Sequence, residues 1–180
     1  MDAKTALGWL IVIAAVAIAA ATAGGGGGGG GSADQAGRLA VRPGQTVAAQ
    51  VTRVVDGDTV RVRAPGAATE TVRYIGVDTP ESVKPDTPVE CYGKEASRRN
   101  AELVSEQSVR LVVGAEPRDR YGRLLAYVYR ARDGRFVNEA LAAEGFARAL
   151  TIPPNDRFQG LFERRVSAAK QARKGQWGAC

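Results

Sequence analysis

Eight consecutive glycines at residues 24–31 constrain this chain more than any other feature of its sequence. A glycine tract has no side chains to bury, so it behaves as a flexible coil and cannot join a hydrophobic core. We therefore expect a Gly-rich flexible linker over residues 24–46 and a folded domain over residues 47–180. The 149 residues that follow the tract are the usual size of one domain.

The residues before the glycines have the pattern of an export signal. Residues 6–23 carry no charge and end in Ala21-Thr22-Ala23, which matches the A-x-A pattern cleaved in secretory signals. The 18 uncharged residues are slightly long for a signal core and just long enough to cross a bilayer. We expect residues 1–23 to be a signal peptide or an N-terminal membrane anchor. The domain would then be secreted, or held outside the membrane through residues 6–23.

The composition excludes several classes of enzyme. The chain has no His and two cysteines, which excludes a Ser-His-Asp triad, a His general base and the usual zinc sites. An enzyme of this composition must use carboxylates, Arg, Lys or Tyr, with or without a metal ion held by oxygen atoms. The net charge of +6 makes a polyanion a plausible partner, although net charge alone is a weak indication.

The two cysteines, Cys91 and Cys180, form an even pair in a chain with an export signal, so a disulfide is permitted. The bond would tie the C-terminus to the middle of the domain and close a loop of about 90 residues. The alternative is two unpaired thiols. We predict the disulfide, because an exposed free cysteine is a liability outside the cell.

The hydrophobic pattern of the domain predicts mainly β structure. Residues 47–55 and 59–63 favour strands, and the Asp56-Gly57-Asp58 turn between them is typical of a hairpin. Further strands are predicted at residues 70–77, 108–113 and 123–130, and a polar turn at residues 114–122. Helices are predicted at residues 94–107, 137–144 and 156–173, with Gly145 closing the second and Asp156 as N-cap of the third.

This order of elements predicts an α+β, mainly β fold, with five strands in a barrel packed by about three helices. The OB-fold is one such plan and commonly binds oligonucleotides. The number of strands does not by itself distinguish a barrel from a sandwich. Residues 78–93 have no helical periodicity and are predicted to form a long loop, a kind of segment that is often functional.

Three short segments concentrate unusual chemistry: VVDGDT at residues 54–59, RYIGVDTPE at 73–81 and DRYGRLLAY at 119–127. Together they supply oxygen ligands for Ca²⁺ or Mg²⁺, a further carboxylate and two guanidinium groups: Asp56, Asp58, Asp78, Glu81, Arg73 and Arg123. Such a set suits phosphodiester hydrolysis, in which a carboxylate activates water and arginines neutralise the developing charge. Each segment alone is a weak indication, since D-G-D is more often only a turn. The ordered conjunction is much more specific.

These segments, together with YGKEA at residues 92–96 and VNEALAAEG at 137–145, resemble the thermonuclease family of staphylococcal nuclease-like domains. All five family motifs stand in the family's order, and the resemblance covers residues 47–177. One position differs, because Tyr74 stands where the family usually has Leu or Ile.

The resemblance implies an OB-fold endonuclease that binds one Ca²⁺ and cleaves DNA and RNA on the 5′-oxygen side, leaving 3′-phosphates. By motif position, the metal would be held by Asp58, Asp78 and the backbone carbonyl of Thr79, with Asp56 in its outer shell. Glu81 is similar to the family's general base or water-orienting carboxylate. Arg73 and Arg123 resemble its phosphate-binding arginines, and Arg123 would also assist the leaving group. Tyr121 corresponds to a tyrosine beside the nucleotide pocket, and we expect a monomer.

The sequence departs from the family on the nucleotide-binding side. Leu150 and Ile152 occupy positions where the type member has two stacking tyrosines, which would weaken base stacking. Lys84, in the long loop, is either a substrate contact or part of a plain surface loop.

Three rival functions remain: a non-catalytic nucleic-acid-binding OB-fold module tethered at the cell envelope, an envelope-tethered interaction protein and a calcium sensor. The retained Glu81 and arginines count against the first, and the second predicts no metal dependence. The spacing after D-G-D is not that of an EF-hand, which counts against the third. Basic residues elsewhere are more typical of a solvated helix face than of a binding stripe; these are Arg98, Arg99, Arg164, Arg165, Lys170, Arg173 and Lys174.

Overall fold

The structure is a computed structural model that describes residues 37–82 and 88–180. The predicted signal or anchor, the glycine tract and Lys84 lie outside the described residues. Within those residues, no helix has both the length and the apolar character needed to cross a membrane.

The described chain contains seven strands and four helices. The strands are β1 (Thr46–Asp56), β2 (Thr59–Arg63), β3 (Thr69–Tyr74), β4 (Gly76–Asp78), β5 (Ser108–Arg118), β6 (Leu124–Arg130) and β7 (Arg148–Leu150). The helices are α1 (Gly93–Val104), α2 (Val137–Ala143), α3 (Gln159–Gln171) and the short α4 (Gln176–Ala179).

Five strands close into a barrel in the order β1-β2-β3-β6-β5, and β4 and β7 form a separate two-stranded sheet. All barrel pairings are antiparallel except β3 with β6. The five-stranded barrel packed by helices confirms the predicted OB-fold plan. Closure gives each of the five barrel strands a paired neighbour on both sides, which removes the open edges of a flat sheet.

Alternating side chains fill the barrel. In β2, Val60 and Val62 point inward and are buried, whereas Arg61 and Arg63 are exposed. α1 packs against β1, and α2 packs against α3 and β6. Phe162 of α3 is fully buried within this core. Burial of these apolar surfaces is the main stabilising contribution to the fold.

The predicted third strand is divided into two. β3 ends at Tyr74, and Gly76 adopts a φ of +83°, which residues other than glycine rarely tolerate. A Cβ at Gly76 would lie 2.2 Å from the Phe162 ring, so space also requires glycine. The chain therefore leaves the barrel, and β4 pairs with β7, which the sequence analysis did not predict. This turn carries Asp78 to the end of the β1–β2 hairpin.

Other boundaries also differ from the predictions. β5 runs on to Arg118, through part of the predicted polar turn, and α1 ends at Val104 instead of residue 107. The predicted cap of α3 is wrong, because Phe158 occupies the N-cap position and no side chain caps the helix. Gly145 follows α2 with a φ of +82°, as expected of a helix-terminating glycine.

The packed domain begins before the predicted boundary at residue 47. Leu39 and Val41 pack against the core, and the Leu39 N–H donates to the Glu70 carboxylate at 2.7 Å. Arg118 donates to the same carboxylate and to the Leu39 carbonyl. At the other end of the chain, the structure joins Cys91 to Cys180 in a disulfide.

Candidate active site

The hairpin between β1 and β2 holds Asp58 in a buried position, 5% exposed. The Asp58 N–H donates to Asp56 Oδ1 at 3.0 Å, which fixes the turn. Gly57 is required between them because a Cβ there would lie 2.5 Å from Thr79 Oγ1. Asp58 Oδ2 accepts from the Thr79 N–H at 2.8 Å, so the hairpin and the segment after β4 are joined through one carboxylate.

Arg73, at the end of β3, bridges the two carboxylates predicted to bind metal. Its guanidinium lies 3.0 Å from Asp58 Oδ2 and 2.8 Å from Asp78 Oδ1. It also donates to the carbonyls of Tyr74 and Val77, at 3.0 and 2.8 Å. The turn at Gly76 between β3 and β4 allows these contacts. It brings the carbonyls of Tyr74 and Val77 within reach of the Arg73 side chain, which precedes both in the sequence.

Negative charge is concentrated at this point and is only partly compensated. Burial raises the pKa of Asp58 to about 6, with the charge of Arg73 acting to lower it and that of Asp56 to raise it. Burial likewise raises the pKa of Asp78, against the opposing charges of Arg73 and Arg148. Two neighbouring carboxylates with raised pKa values, one buried and one half-exposed, favour an added cation, because the cation stabilises their ionised forms.

A polar cavity of about 230 Å³ unites the site. Its lining includes all six predicted carboxylate and arginine residues and Thr79: Asp56, Asp58, Arg73, Asp78, Thr79, Glu81 and Arg123. In the described part of the chain, no group of three or more Asp, Glu or Cys side chains could hold a metal ion alone. The donors present nevertheless fit a hard cation such as Ca²⁺, if backbone oxygen and water complete the two carboxylates Asp58 and Asp78.

Glu81 is held in the cavity wall by the backbone around it. Its carboxylate accepts from the Ser82 N–H at 2.9 Å, and its carbonyl accepts from the Glu90 N–H at 2.9 Å. The first residue of α1, Gly93, packs so closely that a Cβ there would lie 2.4 Å from the Glu81 carbonyl oxygen. The start of α1 therefore fixes the backbone that carries Glu81.

Arg123 is positioned by Asp119, four residues earlier in the turn between β5 and β6. Asp119 Oδ1 accepts from the N–H groups of Tyr121 and Arg123, each at 2.9 Å, and Oδ2 accepts from Arg123 Nε at 2.6 Å. The Nη atoms of Arg123 make none of these contacts, so Asp119 fixes one edge of the guanidinium of a residue that lines the cavity. The sequence analysis did not assign Asp119 a role, although an acid four residues before an arginine in a tight turn is a detectable signal.

The comparisons with known proteins bear directly on this arrangement. A family model described as "Staphylococcal nuclease homologue" matches residues 71–179. A thermonuclease of Staphylococcus hyicus is 40% identical over 174 residues, which are 97% of this chain and 98% of that protein. The chain belongs to the staphylococcal nuclease family.

Further relatives agree with this assignment. A thermonuclease of Staphylococcus intermedius is 49% identical over 126 residues, 70% of this chain and 71% of that protein. Endonuclease YncB of Bacillus subtilis is 44% identical over 127 residues, which are 69% of this chain and 59% of that protein. The predicted family membership is confirmed, and so is the prediction of a hydrolase of the nuclease type.

In this nuclease-family chain, a second cavity of about 570 Å³ adjoins the first and shares Arg73 and Arg123 with it. Tyr121, Leu150 and Ile152 line it and are three of the four large hydrophobic side chains exposed among the described residues. The structure thus brings together the three residues that the sequence analysis assigned to the nucleotide-binding side.

Two further residues near the site were missed by the sequence analysis. Asn155 is buried and bonds through its side chain to the backbone of Glu116 at 3.1 and 3.0 Å, which anchors the segment that carries Ile152. Arg148 lies opposite Asp78 in the β4–β7 pairing. No sequence signal indicated Arg148, because β7 was not predicted as a strand.

Proposed function

We propose that this protein is a calcium-dependent endonuclease that hydrolyses DNA and RNA on the 5′-oxygen side of the phosphodiester and leaves 3′-phosphate ends. The observation that carries the proposal is the polar cavity that presents Glu81 and two arginines beside the buried Asp58 and the half-exposed Asp78. Relatives named thermonuclease and endonuclease support nucleic acid as the substrate.

Asp58, Asp78 and the backbone carbonyl of Thr79 would hold the calcium ion, with Asp56 in its outer shell. When bound, such an ion polarises a phosphoryl oxygen and offsets its charge. Arg73 also donates to the carbonyls of Tyr74 and Val77, so its position does not depend on the two carboxylates alone.

The chain's own residues supply the remaining chemistry. Glu81 orients the attacking water and accepts its proton, a role that suits a carboxylate fixed by backbone contacts. Arg73 and Arg123 bind the phosphate oxygens and neutralise the charge that develops as water adds. Arg123 also stabilises the departing 5′-oxygen. Asp119 holds Arg123 for this task as a positioning residue.

On the nucleotide side, we propose that Tyr121 faces the nucleotide and that Leu150 and Ile152 offer an aliphatic surface to the base. Lys84 would contact the substrate from the long loop. The chain would act as a monomer outside the cytoplasm, with residues 6–23 serving as a cleaved signal or a retained membrane anchor.

A plasmid-degradation assay on the full-length protein tests the proposal, with Ca²⁺ or with a chelator. We expect cleavage only with Ca²⁺, 3′-phosphate termini in the products, and loss of cleavage in Glu81→Gln and Arg123→Ala at unchanged circular dichroism. Tight DNA binding without cleavage under any divalent ion would contradict the proposal and favour the non-catalytic binding module. Cleavage that survives both substitutions would place the chemistry at another site.

A further inference from the structure

The outer surface of the barrel carries three exposed arginines on two adjacent strands. Arg53 of β1 lies directly opposite Arg61 of β2 in the antiparallel pairing, and Arg63 follows Arg61 by two residues. Residues two apart on a strand point to the same face. The three guanidinium groups therefore share one face, although like charges opposite each other in a sheet are unfavourable. We call these three residues the basic track.

The basic track is continuous with the active-site end of the barrel. The β2–β3 pairing places Thr59 opposite Arg73, Arg61 opposite Thr71 and Arg63 opposite Thr69. Directly paired residues lie on the same face of a sheet, so Arg73 of the active site lies beside Thr59 on the face that carries Arg61 and Arg63. At about 3.3 Å per residue, the row from Thr59 to Arg63 spans about 13 Å.

The basic track combines three arginines on one face with the lack of an acidic partner among the described residues. Carboxylates neutralise several arginines elsewhere on the surface: Glu144 binds Arg99 and Arg135, and Glu139 binds Arg165. None of the three track arginines forms an ion pair with a carboxylate of residues 37–82 or 88–180. Within the described residues, the side-chain hydrogen bond that the track makes is from Arg63 to the Thr69 hydroxyl, at 3.4 Å. Unneutralised guanidinium groups in a row complement a polyanion of repeating charge.

We propose that Arg53, Arg61 and Arg63 bind the phosphates of the nucleic-acid strand that extends from the cleaved bond along β2. The proposal rests on the proposed function and adds a substrate preference to it. The row of about 13 Å is long enough to contact more than one phosphate of a strand beyond the site, since a nucleic-acid strand carries one charge per nucleotide. Long strands would then be preferred to dinucleotides, which cannot reach the track.

A binding experiment in the full-length Glu81→Gln background tests the track without requiring turnover. The probe is a fluorescent oligodeoxynucleotide of about 20 nucleotides, titrated over a series of salt concentrations. The track variant is Arg53→Gln/Arg61→Gln/Arg63→Gln. The control variant is Arg132→Gln/Arg164→Gln/Lys174→Gln, which removes the same charge from exposed residues elsewhere. We expect the track variant to bind about tenfold more weakly at low salt, with a slope of log K against log salt shallower by about 2.

A cleavage experiment on the protein with Glu81 intact compares the same oligonucleotide with a dinucleotide. We expect the ratio of their kcat/KM values to fall about tenfold in the track variant and to stay constant in the control variant. Thermal unfolding of both variants checks that the barrel persists.

Three outcomes would overturn the proposal: equal losses in the track and control variants, a salt slope unchanged from the parent protein, or an unchanged length preference. A track variant that loses binding to phosphatidylglycerol vesicles but keeps its oligonucleotide affinity would assign the track to a membrane surface and overturn it too. Failure of the proposed function is distinguishable, because the dinucleotide would then remain uncleaved by the unsubstituted protein while the binding experiment still decides on the track.

Discussion

The two cavities that share Arg73 and Arg123 are built differently. In the polar cavity, every predicted arginine is fixed by a carboxylate or a carbonyl, as Arg73 is by Asp58, Asp78 and two carbonyls. In the larger cavity, the exposed side chains Tyr121, Leu150 and Ile152 are 68%, 39% and 60% exposed. The difference indicates that the reacting groups are preorganised, whereas the surface for the base is open and mostly aliphatic.

The largest expected effect comes from the residue at the centre of the polar cavity. Arg73→Lys keeps the charge but cannot reproduce a planar fork that reaches two carboxylates and two carbonyls. We expect kcat to fall by about 10²–10³-fold and the melting temperature to fall as well. Steady-state kinetics and thermal unfolding measure both. A kcat within a few-fold of the parent value would contradict the inference that catalysis needs the planar, forked guanidinium of Arg73.

The Cys91–Cys180 disulfide lies near the start of α1, which packs on Glu81 of the polar cavity. Removing the bond tests how much it stabilises the fold. Cys91 lies two residues before Gly93, whose backbone packs on Glu81. In Cys91→Ser/Cys180→Ser we expect the free energy of unfolding to fall by about 3–4 kcal/mol, because the unfolded chain is no longer cross-linked. Urea unfolding measures the loss, and the parent protein under reducing conditions serves as a matched comparison. Equal free energies of unfolding for the oxidised parent and the variant would show that the bond does not stabilise the fold as a whole.

Asp119 offers a smaller and more selective change within the polar cavity. Asp119→Asn retains an oxygen for the N–H groups of Tyr121 and Arg123 but removes the negative charge that accepts from Arg123 Nε. We expect kcat to fall about tenfold while KM changes little, because the arginine is misplaced and substrate binding through other groups persists. A proportional rise in KM with constant kcat would instead make Asp119 part of the binding surface.

The barrel could be predicted from sequence, because the alternation in β2 and the Asp56-Gly57-Asp58 turn are local signals. The division at Gly76 could not, since it depends on Phe162, which lies 86 positions further along the chain. β7 was not predicted either, because its three residues are too few to show a strand pattern. Arg148, which lies in β7, was missed for the same reason. The predicted Asp156 cap was wrong, because the N-cap position falls at Phe158, whose ring packs against Tyr127 and Phe136.

The site residues could be predicted as a set, but their contacts could not. The ordered motifs identified Asp58, Arg73, Asp78, Glu81 and Arg123, and the structure places all five around one cavity. The ion pairs and hydrogen bonds among these side chains depend on the tertiary structure. The bridging position of Arg73 depends on the chain leaving the barrel after Tyr74, an event that no local pattern indicated.

The aliphatic surface of the larger cavity can be tested by adding aromatic rings. In Leu150→Tyr/Ile152→Tyr we expect about fivefold to tenfold tighter binding of a nucleoside bisphosphate, because a stacked base contributes about 1–3 kcal/mol and part of this is lost in ordering exposed rings. Isothermal titration calorimetry measures the affinity, with the non-aromatic Leu150→Met/Ile152→Met as the control. An unchanged affinity would mean that the base does not rest on these two positions.

The smallest effect is expected at Glu70, away from both cavities, where it serves as a structural contrast. Burial acts to raise the pKa of Glu70, but hydrogen bonds from Arg118 and the Leu39 N–H outweigh it, so the pKa is lowered. A lowered pKa in the folded state stabilises the protein above the ordinary pKa of a glutamate, and this contribution is lost as pH falls through the folded-state value. Glu70→Gln should therefore cost about 1 kcal/mol near pH 7 and progressively less toward pH 3. Urea unfolding across that pH range measures the loss of stability, and kcat is measured at pH 7. Because Glu70 lies away from both cavities, we expect the free energy of unfolding to change and kcat to stay the same. A change in kcat comparable to that of Asp119→Asn would mean that the Leu39–Glu70–Arg118 contacts also position the turn that carries Arg123.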